Sequence, residues 1–237
     1  MSMMHRNRWE KAQQYELNWW NKRKKDIDLS YLKRFADELL LDLKDSGEPK
    51  SFSSILEIGS GPAGIITHLT AENRVGIDPL EHFYSTVPEY LSYRDTKVRY
   101  ISSGAEQIDF NNDTFDLIII DNVLDHCHLP ESVLKETFRV LKPNGIVYFK
   151  QNIYHQIGKK IRNILESIEF DKGHPYNFTY SDLTKLFMQN GFNYKLIRKR
   201  GHLNQIITEI KMRNIKVFFR ILTFMTRDKV TMILKKS

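Results

Sequence analysis

The sequence predicts an α/β fold: a doubly wound, mostly parallel seven-stranded sheet, preceded by an N-terminal helical segment. Three observations carry this expectation. From about residue 51 onward, short β-branched runs alternate with amphipathic stretches of roughly ten residues or more, the signature of βαβ units. A glycine-rich turn, Gly59-Ser60-Gly61-Pro62-Ala63-Gly64, follows the first of these runs. The run Phe115-Asp116-Leu117-Ile118-Ile119-Ile120 is almost continuously apolar, as a strand buried on both faces must be.

The elements follow in order. Residues 1 to about 45 read as helices, with Trp9, Tyr15, Trp19 and Trp20 within three turns of one another. Leu32, Phe35, Ala36, Leu39, Leu40 and Leu43 keep the spacing of an amphipathic helix. Asp45-Ser46-Gly47-Glu48-Pro49 supplies stop and turn residues, which places a boundary near 50. Residues 1–50 are then a helical segment suited to act as a substrate lid, and 51–237 the main domain. Strands are expected at Ile55–Ile58, Val75–Ile77, Val98–Ile101, Phe115–Ile120, Ile146–Phe149, Phe192–Ile197 and Val230–Leu234. Helices are expected at Ala63–Ala71, Glu131–Leu141, after the N-cap Thr179 with Asp182 three residues on, and at Gln205–Leu222. Pro143-Asn144-Gly145 turns the chain into the fifth strand.

Composition removes several classes. Cys127 is the one cysteine among 237 residues, so an intramolecular disulfide and a multi-cysteine zinc site are excluded. Lys and Arg number 36 against 29 Asp and Glu, a formal charge of +7. The basic residues are spread over Lys22–Lys25, Lys159–Arg162 and Arg198–Arg200, with more from Lys211 to Arg227. That scatter suits solvated faces and admits an anionic small-molecule substrate; no dedicated nucleic-acid surface is expected. With no signal-peptide pattern and no run of about 18 apolar residues, the expected compartment is the cytoplasm. Ile206–Met225 mixes apolar residues with Lys211, Arg213, Lys216 and Arg220, and reads as a helix covering the sheet, with weak peripheral membrane contact as the lesser reading.

The chemistry starts at the glycine turn, on the strand edge where open α/β sheets bind ligands. Asp78 ends the second strand, seventeen residues after Gly61, where a carboxylate can accept hydrogen bonds from both hydroxyls of a ribose. Glu57 lies two residues before the first glycine, a poor neighbour for phosphates and a good one for a cation bearing an amino group and a sulfonium. The glycine pattern alone also suits flavin- or nicotinamide-binding oxidoreductases. Lys22–Lys25 beside Trp and Tyr gives the mixture of charge and stacking groups that single-stranded nucleic acid favours, so an RNA-binding protein is a further reading.

Four blocks narrow these readings. ILEIGSGPAG (55–64), VGIDP (75–79), SSGAEQIDFNNDTFDLIIIDNVLDH (102–126) and VLKPNGIVYF (140–149) resemble, in order and spacing, the class I S-adenosylmethionine-dependent methyltransferases. The likeness is to the small group that includes the ubiquinone and menaquinone biosynthetic enzymes. The resemblance implies S-adenosyl-L-methionine as cofactor and S-adenosyl-L-homocysteine as product. It implies that Gly59, Ser60 and Gly61 line the methionine part, with Gly64 packing loop and helix, and that Asp78 holds the ribose. Pro79 and Leu80 would lie against the adenine, Ala105 and Glu106 would reach its edge, and Asp121 with Asn122 would lie near the methionine end. Asp109-Phe110 departs from the family's common Pro-Phe, and Pro62-Ala63 from a small polar pair.

Beyond cofactor binding, Asp125-His126-Cys127-His128 follows the fourth strand, and His126 is the candidate catalytic base, with Asp125 orienting its ring. As a metal site the cluster lacks the usual ligand spacing, and no metal is expected. His174 and Tyr176 are candidate substrate contacts. Trp19, Trp20 and Tyr15 are more simply packing residues than a lid.

Overall fold

A computed structural model describes residues 3–26, 28–166, 175–201 and 226–237. The expected helix at Gln205–Leu222, the basic stretch Ile206–Met225 and His174 lie outside the described residues.

Seven strands form one sheet in the order β3-β2-β1-β4-β5-β7-β6: β1 (Ser54–Ile58), β2 (Asn73–Asp78), β3 (Arg99–Ser102), β4 (Phe115–Asp121), β5 (Leu141–Ile153), β6 (Phe192–Lys199) and β7 (Asp228–Lys236). β1 to β5 pair in parallel, and β7 runs antiparallel between β5 and β6. Among the described residues the helices are α1 (Met3–Arg23), α2 (Tyr31–Asp45), α3 (Glu81–Tyr84), α4 (Pro88–Leu91), α5 (Pro130–Val140), α6 (Gln156–Glu166) and α7 (Tyr180–Gln189).

Alternation along the central strands makes two apolar layers. Leu56, Ile58, Ile118 and Ile120 face a layer filled by Val133 and Leu134 of α5 with Leu183 and Phe187 of α7. Ile55, Leu117 and Ile119 face the other, filled by Ala36, Leu39 and Leu43 of α2 with Ile65 and Ile66. A strand with both faces covered needs the unbroken apolar run that β4 carries. Asp42 joins α2 to the sheet, accepting from Tyr148 Oη at 2.7 Å.

Two local expectations are corrected. The helix expected at Ala63–Ala71 is only a single 3₁₀ turn, Ile65–His68. Gly64 enters it at φ 73°, and β2 already begins at Asn73, which leaves too few residues for a longer helix. Pro143-Asn144-Gly145 does not precede the fifth strand but sits inside β5, as an irregularity opposite Phe115–Leu117. The capping box at Thr179 and Asp182 forms as expected.

Arg94 ties the turn after β1 to α3. Its guanidinium grips both Glu81 oxygens at 2.8 and 2.6 Å, its Nε donates to the Pro62 carbonyl at 2.6 Å, and it lies 3.9 Å over the Tyr100 ring. Both charged side chains are nearly buried. Removing one partner of such a pair leaves a charge uncompensated, so Arg94→Ala is predicted to cost about 3–5 kcal/mol in a chemical denaturation experiment. A loss below about 1 kcal/mol would show that the pair contributes little.

Candidate functional site

The turn out of β1 is built on backbone and one carboxylate. The amides of Gly59 and Ser60 donate to the Ile77 carbonyl at 2.8 and 3.2 Å, bringing the chain over the end of β2. Gly59 has φ 71°, and a Cβ there would sit 2.5 Å from Val123 Cγ2, so only glycine fits. Glu57 lines the cavity, but both its oxygens serve the turn, accepting from Ile65 N at 3.1 Å and Ile66 N at 2.9 Å. A Cβ on Gly64 would collide with that carboxylate. Burial pushes the Glu57 carboxyl up to about 8, against the two amides, which favour the ionised form.

Asp78 is held from both sides. Its Oδ2 accepts from Gly61 N at 3.0 Å and its Oδ1 from Leu80 N at 2.8 Å. Each oxygen keeps lone-pair capacity for a further donor. Burial and then the nearby Glu16 and Glu81 push its carboxyl up to about 7. Glu106 accepts at one oxygen from His128 N (2.8 Å) and Leu129 N (3.3 Å), joining the loops after β3 and β4. Asp121, raised by burial, accepts from Asn122 Nδ2 at 2.6 Å. Asn122 takes a left-handed φ of 55°, which asparagine tolerates, and its Oδ1 accepts from Asn152 N at 2.8 Å.

Over this floor lies α1. Trp9, Gln13, Glu16 and Trp20, spaced 4-3-4 along one helical face, all line the same cavity. Trp20 sets its edge against Tyr84 and Tyr90, and Tyr90 Oη donates to the Trp20 carbonyl at 2.7 Å. Trp9 meets His128 edge-on. Tyr15 points to solvent, 50% exposed, and Trp19 packs on Trp20 and Arg23. Of the three expected packing aromatics, only Trp20 reaches the cavity.

His126 sits between two carboxylates, with Nδ1 3.6 Å from Glu16 Oε2 and Nε2 3.9 Å from Asp125 Oδ1. Asp125 is nearly buried and its Oδ1 accepts from Gln151 Nε2 at 2.8 Å. Tyr176 Oη donates to the His128 carbonyl at 2.8 Å, and neither residue lines the cavity. Burial pushes the Cys127 thiol well up, and its Sγ donates to the Val123 carbonyl at 3.3 Å. Among the described residues, no group of three His, Cys, Asp or Glu is placed to hold a metal.

The structure therefore gathers Glu57, Gly59, Ser60, Gly61, Asp78, Pro79, Ala105, Glu106, Asp121 and His126 around one cavity. Glu16, Gln13, Tyr31, Phe35 and Lys229 join them without having been singled out from the sequence. The 4-3-4 spacing from Trp9 to Trp20 carried the signal for the first two. The described lining holds five carboxylates (Glu16, Glu57, Asp78, Glu106, Asp121) and one lysine, Lys229. Crowded carboxylates in a partly dry cavity raise one another's pKa values and make it a site for a cation.

A pH dependence follows. Folding raises the Glu57 and Asp78 carboxyls from ordinary values of 4.5 and 3.8 to about 8 and about 7, so the native state holds protons that the unfolded chain has released. Their contribution to stability is present at low pH and lost as pH rises through the folded values. His68, lowered by burial, acts oppositely below its ordinary value of 6.5. The ligand-free protein is therefore predicted to lose thermal stability between about pH 6.5 and 8, and Asp78→Asn to flatten that loss, in scanning calorimetry. A midpoint that rises over this range would contradict the assignment.

Residues 56–149 match the family described as a methyltransferase domain. The chain is 28% identical over 152 residues to the ubiquinone biosynthesis O-methyltransferase of Rickettsia bellii, spanning 62% of each protein. It is 29% identical over 153 residues to the sterol 24-C-methyltransferase of Schizosaccharomyces pombe, spanning 61% of this chain and 40% of that one. The chain thus spans less than two thirds of the length of these relatives. In fold it resembles phosphoethanolamine N-methyltransferase 2 of Haemonchus contortus, solved with S-adenosylhomocysteine, at a TM-score of 0.61 and 15% identity over 84% of this chain and 52% of that one. Sheet order, glycine turn and matched blocks agree: residues 56–149 match a methyltransferase domain, on a sheet that resembles those of solved methyltransferases.

Proposed function

We propose that the protein transfers a methyl group from S-adenosylmethionine to a small-molecule acceptor. The observation that carries this reading is the acid-lined cavity at the ends of β1, β2 and β4, with Asp78 beside the amide of Gly61. Two further features fit the cofactor. Ser60 Oγ and Gln13 Oε1 are buried without a hydrogen-bond partner among the described residues, and both residues line the cavity. A diphosphate-bearing nucleotide would meet a lining rich in acidic side chains, which gives a flavin or nicotinamide no support.

Bound in this cavity, the cofactor would supply an electrophilic methyl group on a positively charged sulfur. The chain's own residues do the rest. Asp78 accepts from the ribose hydroxyls through its remaining lone pairs. Gly59, Ser60 and Gly61 would line the methionyl part, with Asp121 toward its amino group, and Pro79, Ala105 and Glu106 would hold the adenine. Glu57 acts one step back, holding the turn in shape. Methyl transfer depends chiefly on near-attack geometry, and α1, within the segment 1–50, is the lid that excludes water from it. His126 takes the proton of a hydroxyl acceptor, its ring kept in place by Glu16 and Asp125. The acceptor atom stays open, since the relatives are named for oxygen, carbon and nitrogen methylation. No helix among the described residues is long and apolar enough to cross a membrane.

Asp78→Ala is predicted to weaken S-adenosylhomocysteine binding by about tenfold or more in isothermal titration, with cooperative unfolding retained, because hydrogen bonds to a charged acceptor are lost. Unchanged affinity would remove the ribose assignment. His126→Ala is predicted to abolish turnover while keeping cofactor affinity, measured on an acceptor found by screening metabolite fractions with methyl-labelled cofactor. Turnover that survives would leave positioning alone as the source of catalysis.

A further inference from the structure

Lys229 is the one cavity-lining side chain, among those described, whose charge runs against its surroundings. Its place follows from sheet register. Asp121 at the end of β4 is opposite Lys150 on β5, and Asn152 on β5 is opposite Lys229 on β7. Ala105 and Glu106 follow β3, at the other side of the sheet. The cavity therefore runs from Ala105 and Glu106, past Asp78 and the glycine turn, to a far end walled by Tyr31, Phe35 and Lys229.

The acidic groups near that end are already engaged. Glu38 accepts from Arg198 and lies 3.6 Å from Lys150 Nζ. Asp42 accepts from Arg198 and Tyr148. Asp121 accepts from Asn122 and lies 3.9 Å from Lys150 Nζ. Among the described residues no carboxylate lies within ion-pair distance of Lys229 Nζ and no acceptor is hydrogen-bonded to it; the Phe35 ring centre lies 5.9 Å away, and Asp121 is the carboxylate whose charge acts on it most. Lys150 already stands 4.4 Å over the same ring. An ammonium partly withdrawn from water without a contact partner costs free energy; burial lowers its pKa, and the Asp121 carboxylate, outside ion-pair contact, offsets part of that cost. Methionine would fill the same space without that cost.

We propose that Lys229 is the anion-binding residue of this cavity, receiving a carboxylate or similar oxyanion of a ligand at the end remote from Ala105 and Glu106. Tyr31, which lines the same end and feels the Asp121 charge, is placed to lend a hydroxyl donor. The anion comes from one of two sources, the methionyl carboxylate of the cofactor or an acidic group on the methyl acceptor. Which source applies rests on the methyl-transfer reading; the anion site itself does not.

The test is isothermal titration of wild type, Lys229→Met and Lys229→Arg, with thermal unfolding to verify that the variants fold. Three probes are used: S-adenosylhomocysteine, 5′-methylthioadenosine (the same thioether without the amino-acid tail), and benzoate added to free or S-adenosylhomocysteine-saturated protein. Lys229→Met is expected to weaken one anion by about tenfold or more, with Lys229→Arg retaining part of the affinity. Weakened S-adenosylhomocysteine with unchanged methylthioadenosine assigns the cofactor carboxylate. Unchanged S-adenosylhomocysteine with lost benzoate binding to the saturated protein assigns the acceptor. If both anions bind wild type and Lys229→Met alike, or benzoate binds neither while S-adenosylhomocysteine is unaffected, the proposal is overturned. If wild type binds no S-adenosylhomocysteine, the cofactor reading fails, and benzoate binding to the free protein decides the anion site by itself.

Discussion

Two hydrogen bonds hold the site in shape: those that Glu57, on the central strand β1, accepts from the amides of Ile65 and Ile66. They satisfy the free amides at the start of the 3₁₀ turn after Gly64 and hold residues 59–64 over the strand ends. With that turn in place, the Gly61 amide reaches Asp78, and Pro62 meets Arg94. A buried carboxyl is costly by itself, so its presence marks a backbone geometry that no apolar residue could hold. The requirement for glycine at 59 and 64 follows from the same turn, since Val123 fills the space above one and Glu57 the space beside the other.

The second theme is charge. The chain as a whole is strongly basic at +7, yet its cavity is lined by five carboxylates and a single lysine among the described residues. Net charge thus described the surface and was silent on the site, as expected when solubility and ligand recognition are served by different residues. A cavity crowded with partly desolvated carboxyl groups holds protons near neutrality and favours a cationic ligand. Asp78 couples the two effects, because the proton it holds near neutrality is the one it must give up to accept from a ribose as a carboxylate.

Much of this was legible from residue order. Strands with covered faces had to be apolar, which located β1 and β4, and the spacing from Gly61 to Asp78 placed a carboxylate beside the glycine turn. Ala63–Ala71 misled, because composition favoured a helix while the short span between Gly64 and Asn73 holds a single turn. Glu57 was read as a neighbour suited to a ligand cation; it lines the cavity, and its two oxygens also hold backbone amides of the turn, which local pattern did not signal. Glu16 and Gln13 carried a readable signal in the spacing from Trp9 to Trp20, obscured by neighbouring aromatics that point elsewhere. Lys229 carried none: it reaches the cavity only because β7 lies beside β5, a long-range pairing that local pattern does not encode.

The central claim, that this cavity holds protons which a cationic cofactor displaces, can be measured directly. Isothermal titration of S-adenosylmethionine at about pH 6.5, in buffers of differing ionisation enthalpy, counts protons exchanged on binding. At that pH a typical α-amino group is already protonated, so the exchange reports the protein. The account predicts net release of a substantial fraction of a proton, diminished in Asp78→Asn. Binding without release, or with net uptake, would contradict it.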